Sequence, residues 1–264
     1  MGKISCVYLA AGISSRFGGR IKALVRVGKN KETLLELSMQ QAKDAGFNDF
    51  IIITNNSTLE PIKSIIGEDF MGIPVNYVVQ EIPKNREKPF GTAQALLSVK
   101  DLVRWPFALL NSDDIYGSKI VKNLFDKINN EEGYYCPVHL LKNSIIPEGR
   151  VKRGIVVHEN MLLKLIEGHE VSMNDVVNNI YNGEEFVSMN IFGLQPEFLA
   201  FLEKKVNEFI KNNNDQYAEL TVVNVINSFI KENNEKFKVM VTDEVALGIT
   251  NPEDEEYLRR KLSS

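Results

Sequence analysis

Two groups of residues have types and spacing that could do chemistry on an anion. The first is Leu9-Ala-Ala-Gly-Ile-Ser-Ser-Arg-Phe-Gly-Gly-Arg-Ile-Lys22, where small residues and glycines give way to Arg16 and Lys22, six positions apart. It follows the apolar run 4–9, which reads as a buried first strand. A small-residue turn at the end of a parallel strand lets backbone N–H groups approach an anion closely, and two cations can hold phosphate oxygens. This pattern predicts a loop that grips a nucleoside triphosphate. The second group is Asn111-Ser-Asp-Asp-Ile-Tyr-Gly117, which follows the apolar run 105–110. Adjacent carboxylates at a strand end repel each other unless a cation is present. Mg²⁺, bound by one or two carboxylates and the substrate's phosphates, would supply that cation.

The elements that must position these groups follow in order. Thr33 is placed to cap a helix reaching residue 45, and Gly46 stops it. Strands are predicted over 50–54 and 74–80, with a short helix over 59–66 between them. Strands alternating with helices argue for a parallel sheet covered on both faces. Residues 81–90 hold two prolines and five charges without periodicity, which reads as a loop at a strand's carboxyl end, where open α/β sheets put ligands. Gly91-Thr92 then opens a helix, a second place that favours negative charge. Another strand is read over 105–110 and a helix over 119–129, with Ser118 as its cap.

Past Gly133 the rhythm changes. A strand over 134–141 is followed by a hairpin, 150–158 and 161–166, and by a strand over 187–194. Helices over 196–211 and 221–233, a strand over 237–242 and a last helix opened by Asn251-Pro252 complete the chain. No linker separates two autonomous parts, so the expectation is one domain over 1–264, with a nucleotide-binding half over about 1–132 and a substrate half over about 133–264. The predicted fold is a three-layer α/β/α Rossmann-like domain, with a mainly parallel mixed sheet and an antiparallel insertion.

Composition narrows the function. The chain carries 44% hydrophobic and 25% charged residues, ordinary for a soluble globule. A net charge of −4 leaves no basic excess to neutralise a nucleic-acid backbone. Cys6 and Cys136 sit in apolar runs without disulfide or metal spacing and read as reduced core residues. Met1-Gly2-Lys3 leads straight into the first strand, and no apolar stretch approaches a membrane span, so a cytoplasmic protein without a signal peptide is expected. The three histidines, His139, His158 and His169, show no nucleophile partner pattern and read as structural or surface residues.

Taken together, the motifs resemble the nucleotide-sugar pyrophosphorylases, or sugar-phosphate nucleotidyltransferases, over nearly the whole chain. The resemblance rests on residues 9–18, Lys22, Gln80, Pro89-Phe-Gly-Thr-Ala93 and Ser112-Asp113-Asp114. In the second half it adds Gly154, Glu167, Met189-Asn190 and Gly248-Ile-Thr-Asn-Pro-Glu-Asp254. It implies attack by a sugar 1-phosphate oxygen on the α-phosphorus of a nucleoside triphosphate, with release of pyrophosphate. Arg16 would hold the departing β- and γ-phosphates, Lys22 would steady charge around the α-phosphate, and Asp113 would bind Mg²⁺. The backbone around Ala10, Ala11 and Gly12, with Gln80 and Gly91, would contact the base. Leu9, Thr92 and Ser112 complete the nucleotide side, and Gly154, Glu167 and Asn190 would hold the sugar. A homo-oligomer is left open.

Two departures from the family pattern matter. Ser14 stands where many sugar members have a second glycine, as in cytidylyltransferases and molybdenum-cofactor nucleotidyltransferases of this fold, so the base stays open. Ala246-Leu-Gly248 stands where many members place a second metal-binding carboxylate, with Asp243 and Asp254 as nearby substitutes. The alternatives are a cytidylyltransferase acting on a phosphorylated alcohol such as choline phosphate, and a non-catalytic regulatory relative.

Overall fold

The computed structural model describes residues 2–12, 17–84, 86–146, 150–159 and 162–263, without the side chains of 152, 158–159, 162–169 and 263. Arg16 and Ser14 thus lie outside the described residues, and Glu167 is described in its backbone only.

Alternation along the first strand sets the layers. In β1 (Ser5–Leu9), Val7 points to one face of the sheet while Cys6 and Tyr8 point to the other, and all three are buried. β1 lies between β2 (Asp49–Thr54) and β5 (Phe107–Asn111), parallel to both. β4 (Ile73–Val79) extends the parallel set beyond β2 and carries the two-residue β3 (Asp69–Phe70) at its edge. Helices α1 (Leu34–Ala45), α2 (Leu59–Ile66) and α4 (Ser118–Asn130) cover the face of Cys6 and Tyr8. The opposite face is covered by α3 (Thr92–Leu97), α6 (Phe198–Asn212) and α7 (Val222–Asn233).

The second half continues the same sheet with reversed strands. β7 (Tyr134–Leu140) runs antiparallel to β11 (Phe192–Leu194) and β10 (Phe186–Ser188), and β11 in turn pairs antiparallel with β5. β12 (Phe237–Thr242) joins β7 in parallel. The hairpin of β8 (Val151–Glu159) and β9 (Leu162–Val171) closes the sheet through β10, giving eleven strands among the described residues. The short α5 (Met173–Val177) follows. β6 (Asp114–Ile115) and β13 (Leu247–Gly248) form a separate antiparallel pair, and α8 (Asp254–Ser263) follows it.

The caps explain most of the boundaries. Thr33 accepts from the Glu36 N–H while the Glu36 carboxylate reaches back to the Thr33 N–H, and Gly46 ends α1 with a left-handed φ of 117°. Thr221 and Asn224 repeat this reciprocal capping at α7. Four expectations need correction. Ser118 is the first residue of α4 and not its cap; the cap position is Gly117, and the Glu244 carboxylate accepts from the Lys119 and Ile120 N–H groups at 3.1 and 2.8 Å. The single strand over 187–194 is two strands, interrupted where Asn190 takes a φ of 59°. Trp105 precedes β5 and is half exposed, with Lys3 over its ring. Finally, the last helix starts at Asp254, because the Asp254 carboxylate accepts from the Thr250 and Asn251 N–H groups and holds residues 250–253 as a turn.

Candidate active site

The site forms at the carboxyl ends of β1 and β5. Leu9 lies opposite Asn111 across the β1–β5 ladder, so the loop after Leu9 and the acid pair after Asn111 leave the sheet side by side. The Ser112 N–H donates to Leu9 O at 3.2 Å and ties the two exits together. The turn after β2 holds the first loop from beneath. Asn55 Nδ2 donates to Ala11 O at 2.8 Å and the Thr58 hydroxyl donates to Ala10 O at 3.1 Å, while Asn55 Oδ1 accepts from the N–H groups of Ser57 and Thr58. The carbonyls of Ala10 and Ala11 are thereby turned toward β2. Gly12 is exposed beyond them.

A cavity of about 330 Å³ opens beside this loop, lined by Leu9, Ala11, Gly12, Gln80, Gly91 and Thr92 among others. That volume is at the lower end of those of small-molecule sites. Gly91 makes its far wall. Its φ is 93°, and a Cβ there would lie 2.6 Å from Leu220 O. The Thr92 hydroxyl accepts from the Val222 N–H at 3.0 Å, so this residue also fixes the start of α7.

The acid pair sits in a ring of polar groups. Asp114 Oδ2 accepts from Asn111 Nδ2 at 2.8 Å, and a Cβ at Gly248 would collide with Asp114 Oδ1. With any larger residue at 248, β13 would have to push the Asp114 carboxylate aside. The next residue links the two groups: the Ile249 N–H donates to the backbone Asp113 O at 3.3 Å, and Lys22 Nζ donates to Ile249 O at 3.0 Å. Burial and the neighbouring Asp114 carboxylate push the Asp113 carboxyl up, to about 7, against the opposing pull of Lys22 and Arg153. Burial raises Asp114 as well, opposed chiefly by Arg153. Arg153 is in turn held by Ser144 O, which accepts from its Nε and Nη2 at 3.0 and 2.6 Å.

His139, fully buried nearby, donates through Nε2 to Tyr116 O at 2.7 Å, and burial keeps its imidazole neutral by pulling its pKa down. The residues expected on the sugar side fall as follows. Met189 O accepts from Asn111 Nδ2 and from the Tyr116 hydroxyl, which places Asn190 next to the β5 exit. Gly154 lies opposite Ser188 and at the irregularity of the β8–β9 ladder. Glu167 follows Ile166 in β9, its side chain outside the described set.

A divalent cation fits this donor set. Two carboxylates stand at a strand end where burial and mutual repulsion disfavour their charge, and hard oxygen ligands are what Mg²⁺ takes. Asp113 is the less committed of the two, because Asp114 Oδ2 is taken by Asn111 and Asp114 Oδ1 packs close to Gly248 of β13. Asp254 is committed to its own turn and Asp243 is exposed beyond β12. Among the described residues no cluster of three or more acidic, histidine or cysteine ligands occurs.

The raised Asp113 carboxyl has a consequence for stability. The folded protein keeps a proton that the unfolded chain gives up near 3.8, so without metal the cost of charging Asp113 is absent below that value and complete above about 7. Metal-free protein is thus expected to lose stability between about pH 4 and about pH 7 relative to an Asp113→Asn variant. Mg²⁺, by binding the folded form, is expected to close that gap. Melting curves of both proteins across this range, with chelator and with Mg²⁺, check the expectation.

Sequence reasoning missed Arg153, the hold of Asn111 on Asp114, and the Asn55–Thr58 turn. Three cations crowd residues 150–153, and nothing in their spacing singles out the one facing the acid pair. Asn55 and Thr58 carried a readable signal, since an Asn three residues before a Thr at a helix start is a turn pattern.

The family model for the MobA-like NTP transferase domain matches residues 6–142, just over half of the chain. No curated protein sequence matches. Among solved structures, similar folds include a protein assigned as a glucose-1-phosphate thymidylyltransferase from Bacillus anthracis, with 16% identity over 99% of this chain and 96% of that one and a TM-score of 0.71. The inositol-1-phosphate CTP transferase of T. maritima has a TM-score of 0.69, with 15% identity over 98% and 96% of the two chains. HddC from Yersinia pseudotuberculosis has a TM-score of 0.63, with 15% identity over 97% and 98%. Among the described residues no helix is long and apolar enough to cross a membrane.

Proposed function

The chain belongs to the MobA-like NTP transferase domain family, and from that membership we propose that it transfers a nucleotidyl group from a nucleoside triphosphate to a sugar 1-phosphate. The observation that supports this reading is the register of Leu9 with Asn111, which brings the residues after Leu9 and the acid pair to one crevice beside the cavity. Open α/β sheets bind ligands in such crevices.

In the proposed reaction, an oxygen of the sugar 1-phosphate attacks the α-phosphorus, and the bond from that phosphorus to the β-phosphate's bridging oxygen breaks. The attacking oxygen is already anionic, so the chain's task is to align reactants and offset charge, and no general base is needed. The base enters the cavity between Leu9, Ala11, Gly12, Gln80 and Gly91. Lys22, with one proton given to Ile249 O, turns its others toward the α-phosphate. Arg16 takes the departing β- and γ-phosphates. Asp113 would hold Mg²⁺, which supplies charge neutralisation across the phosphates when bound. Gly154, Glu167 and Asn190 receive the sugar hydroxyls, and Ser112 and Thr92 support the nucleotide side.

Glu167→Ala is expected to weaken use of the sugar phosphate by about 1.5–3 kcal/mol, the worth of a hydrogen bond to a charged group, and to spare triphosphate binding. Separate calorimetric titrations of the two substrates check this. The function itself is tested by pyrophosphate release from five nucleoside triphosphates, each offered with sugar 1-phosphates and with choline phosphate. Release that requires a sugar 1-phosphate is the expected result. Release with choline phosphate alone would move the reading to a phosphoalcohol cytidylyltransferase, and none with any pair would favour a non-catalytic relative.

A further inference from the structure

The cavity contains a glutamine whose hydrogen-bonding direction is fixed by a second glutamine outside it. Gln94, on α3, has its side-chain amide oriented by two backbone groups that cannot exchange roles. Its Oε1 accepts from the Phe90 N–H at 2.9 Å and its Nε2 donates to Glu81 O at 3.0 Å. Gln80, buried at the end of β4, then has no choice of orientation either. Its amide nitrogen lies 3.0 Å from Gly91 O and 3.0 Å from Gln94 Oε1, both acceptors, and so both of its N–H protons are used. Among the described residues no donor reaches Gln80 Oε1. What Gln80 can offer a ligand in the cavity it lines is an acceptor and nothing else.

We propose that Gln94 is the positioning residue for nucleobase selection: it locks Gln80 as an acceptor-only reader, so the base selected is one that presents a ring or amine N–H to this wall. The inference rests on the cavity receiving the base. A base turning a carbonyl or an unprotonated ring nitrogen toward Gln80 meets an oxygen lone pair, and the amide cannot flip without leaving Gly91 O and Gln94 Oε1 facing a second oxygen. Gln94 does not line the cavity, so its effect on selection passes through Gln80.

Calorimetric binding of ATP, CTP, GTP, UTP and dTTP, without any acceptor, tests this independently of catalysis. The wild type is expected to prefer one base by at least about tenfold, and an analogue of that triphosphate methylated at the edge N–H to bind at least about tenfold more weakly. Gln94→Leu is expected to compress the preference severalfold in a protein that still folds, with a lowered melt because Phe90 N–H and Gln80 Nε2 lose an acceptor. Gln94→Glu, which keeps an acceptor for the Phe90 N–H and for Gln80 Nε2, is expected to retain it. A folded Gln94→Leu variant with the full preference, or a methylated analogue bound as tightly as its parent, would overturn the proposal. Should Gln94→Leu not fold, the analogue and the Gln94→Glu variant decide it. A wild type that binds triphosphates without preference refutes the lock alone, and one that binds none refutes the function as well. Tight, selective binding without pyrophosphate release in the assay above would refute only the function.

Discussion

Asp113→Asn is expected to melt no lower than the parent and to slow pyrophosphate release by about 10²–10³. Asparagine preserves the size of the side chain and one acceptor oxygen, and the position lies outside the regular ladder between β5 and β6. The backbone contact made by Asp113, its carbonyl accepting from the Ile249 N–H, does not depend on the side chain. What is removed is a carboxylate whose ionisation burial and Asp114 already oppose, so the metal-free fold gains by the change where that group would be charged. The loss falls on the electrostatic organisation of the phosphates, which a neutral amide cannot supply. Asp114→Asn is expected to cost less in rate, because Asp114 is tied to Asn111 Nδ2 and packed on the backbone of Gly248. Initial rates at saturating Mg²⁺, paired with ligand-free melts of both variants, check the ranking. An active Asp113→Asn protein, or one inactive only because it has unfolded, would remove the assignment.

Gly91→Ala is expected to lower both stability and triphosphate affinity. The backbone at 91, φ 93° and ψ −170°, belongs to a region that only glycine occupies readily, and forcing a side chain there costs on the order of 1–3 kcal/mol. For a chain of this size that is a fall in Tm of roughly 2–4 °C per kcal/mol. The collision is a second cost. The new Cβ would lie 2.6 Å from Leu220 O and 3.0 Å from Leu220 N, and that peptide is pinned by Leu220 N–H to Phe90 O at 2.8 Å and by Ala93 N–H to Leu220 O at 3.1 Å. Relief must come from moving the wall of the cavity, so binding is expected to weaken by about tenfold or more, as when a hydrogen-bonded site is displaced. Gly72→Ala separates the two effects. Its φ is 88°, but nothing lies within 4 Å of the added carbon, and it sits at the β3–β4 turn away from the cavity. It is expected to lose stability and keep full triphosphate affinity.

The parts of the fold that were legible in the sequence are those with local signals. The runs 4–9 and 50–54 are apolar on both sides of the chain, as strands covered on two faces must be, and Thr33-x-x-Glu36 announces its helix. The acid pair and Lys22 stood out because like charges at a strand end and cations after a small-residue turn need an explanation. What stayed hidden depends on contacts between distant residues. Glu244 caps α4 from more than a hundred positions away, displacing Ser118 from the role its type suggested. The break between β10 and β11 has no proline or glycine at its bend; it exists because Met189 O is drawn to Asn111 and Tyr116. Gly248 looked like the loss of a carboxylate, and in the fold it leaves room for the Asp114 carboxylate beside β13. Pairing of β13 with β6 could not be read from two residues on each side.

The central claim, that this crevice directs attack at the α-phosphorus, is tested most directly by following label. Parallel reactions would contain Mg²⁺, the accepted sugar 1-phosphate, and triphosphate labelled at either the α- or the γ-phosphate. The account predicts α-label in the nucleotide-sugar product and γ-label in pyrophosphate alone. Label from the γ-position on the acceptor, or appearing only as orthophosphate, would contradict it.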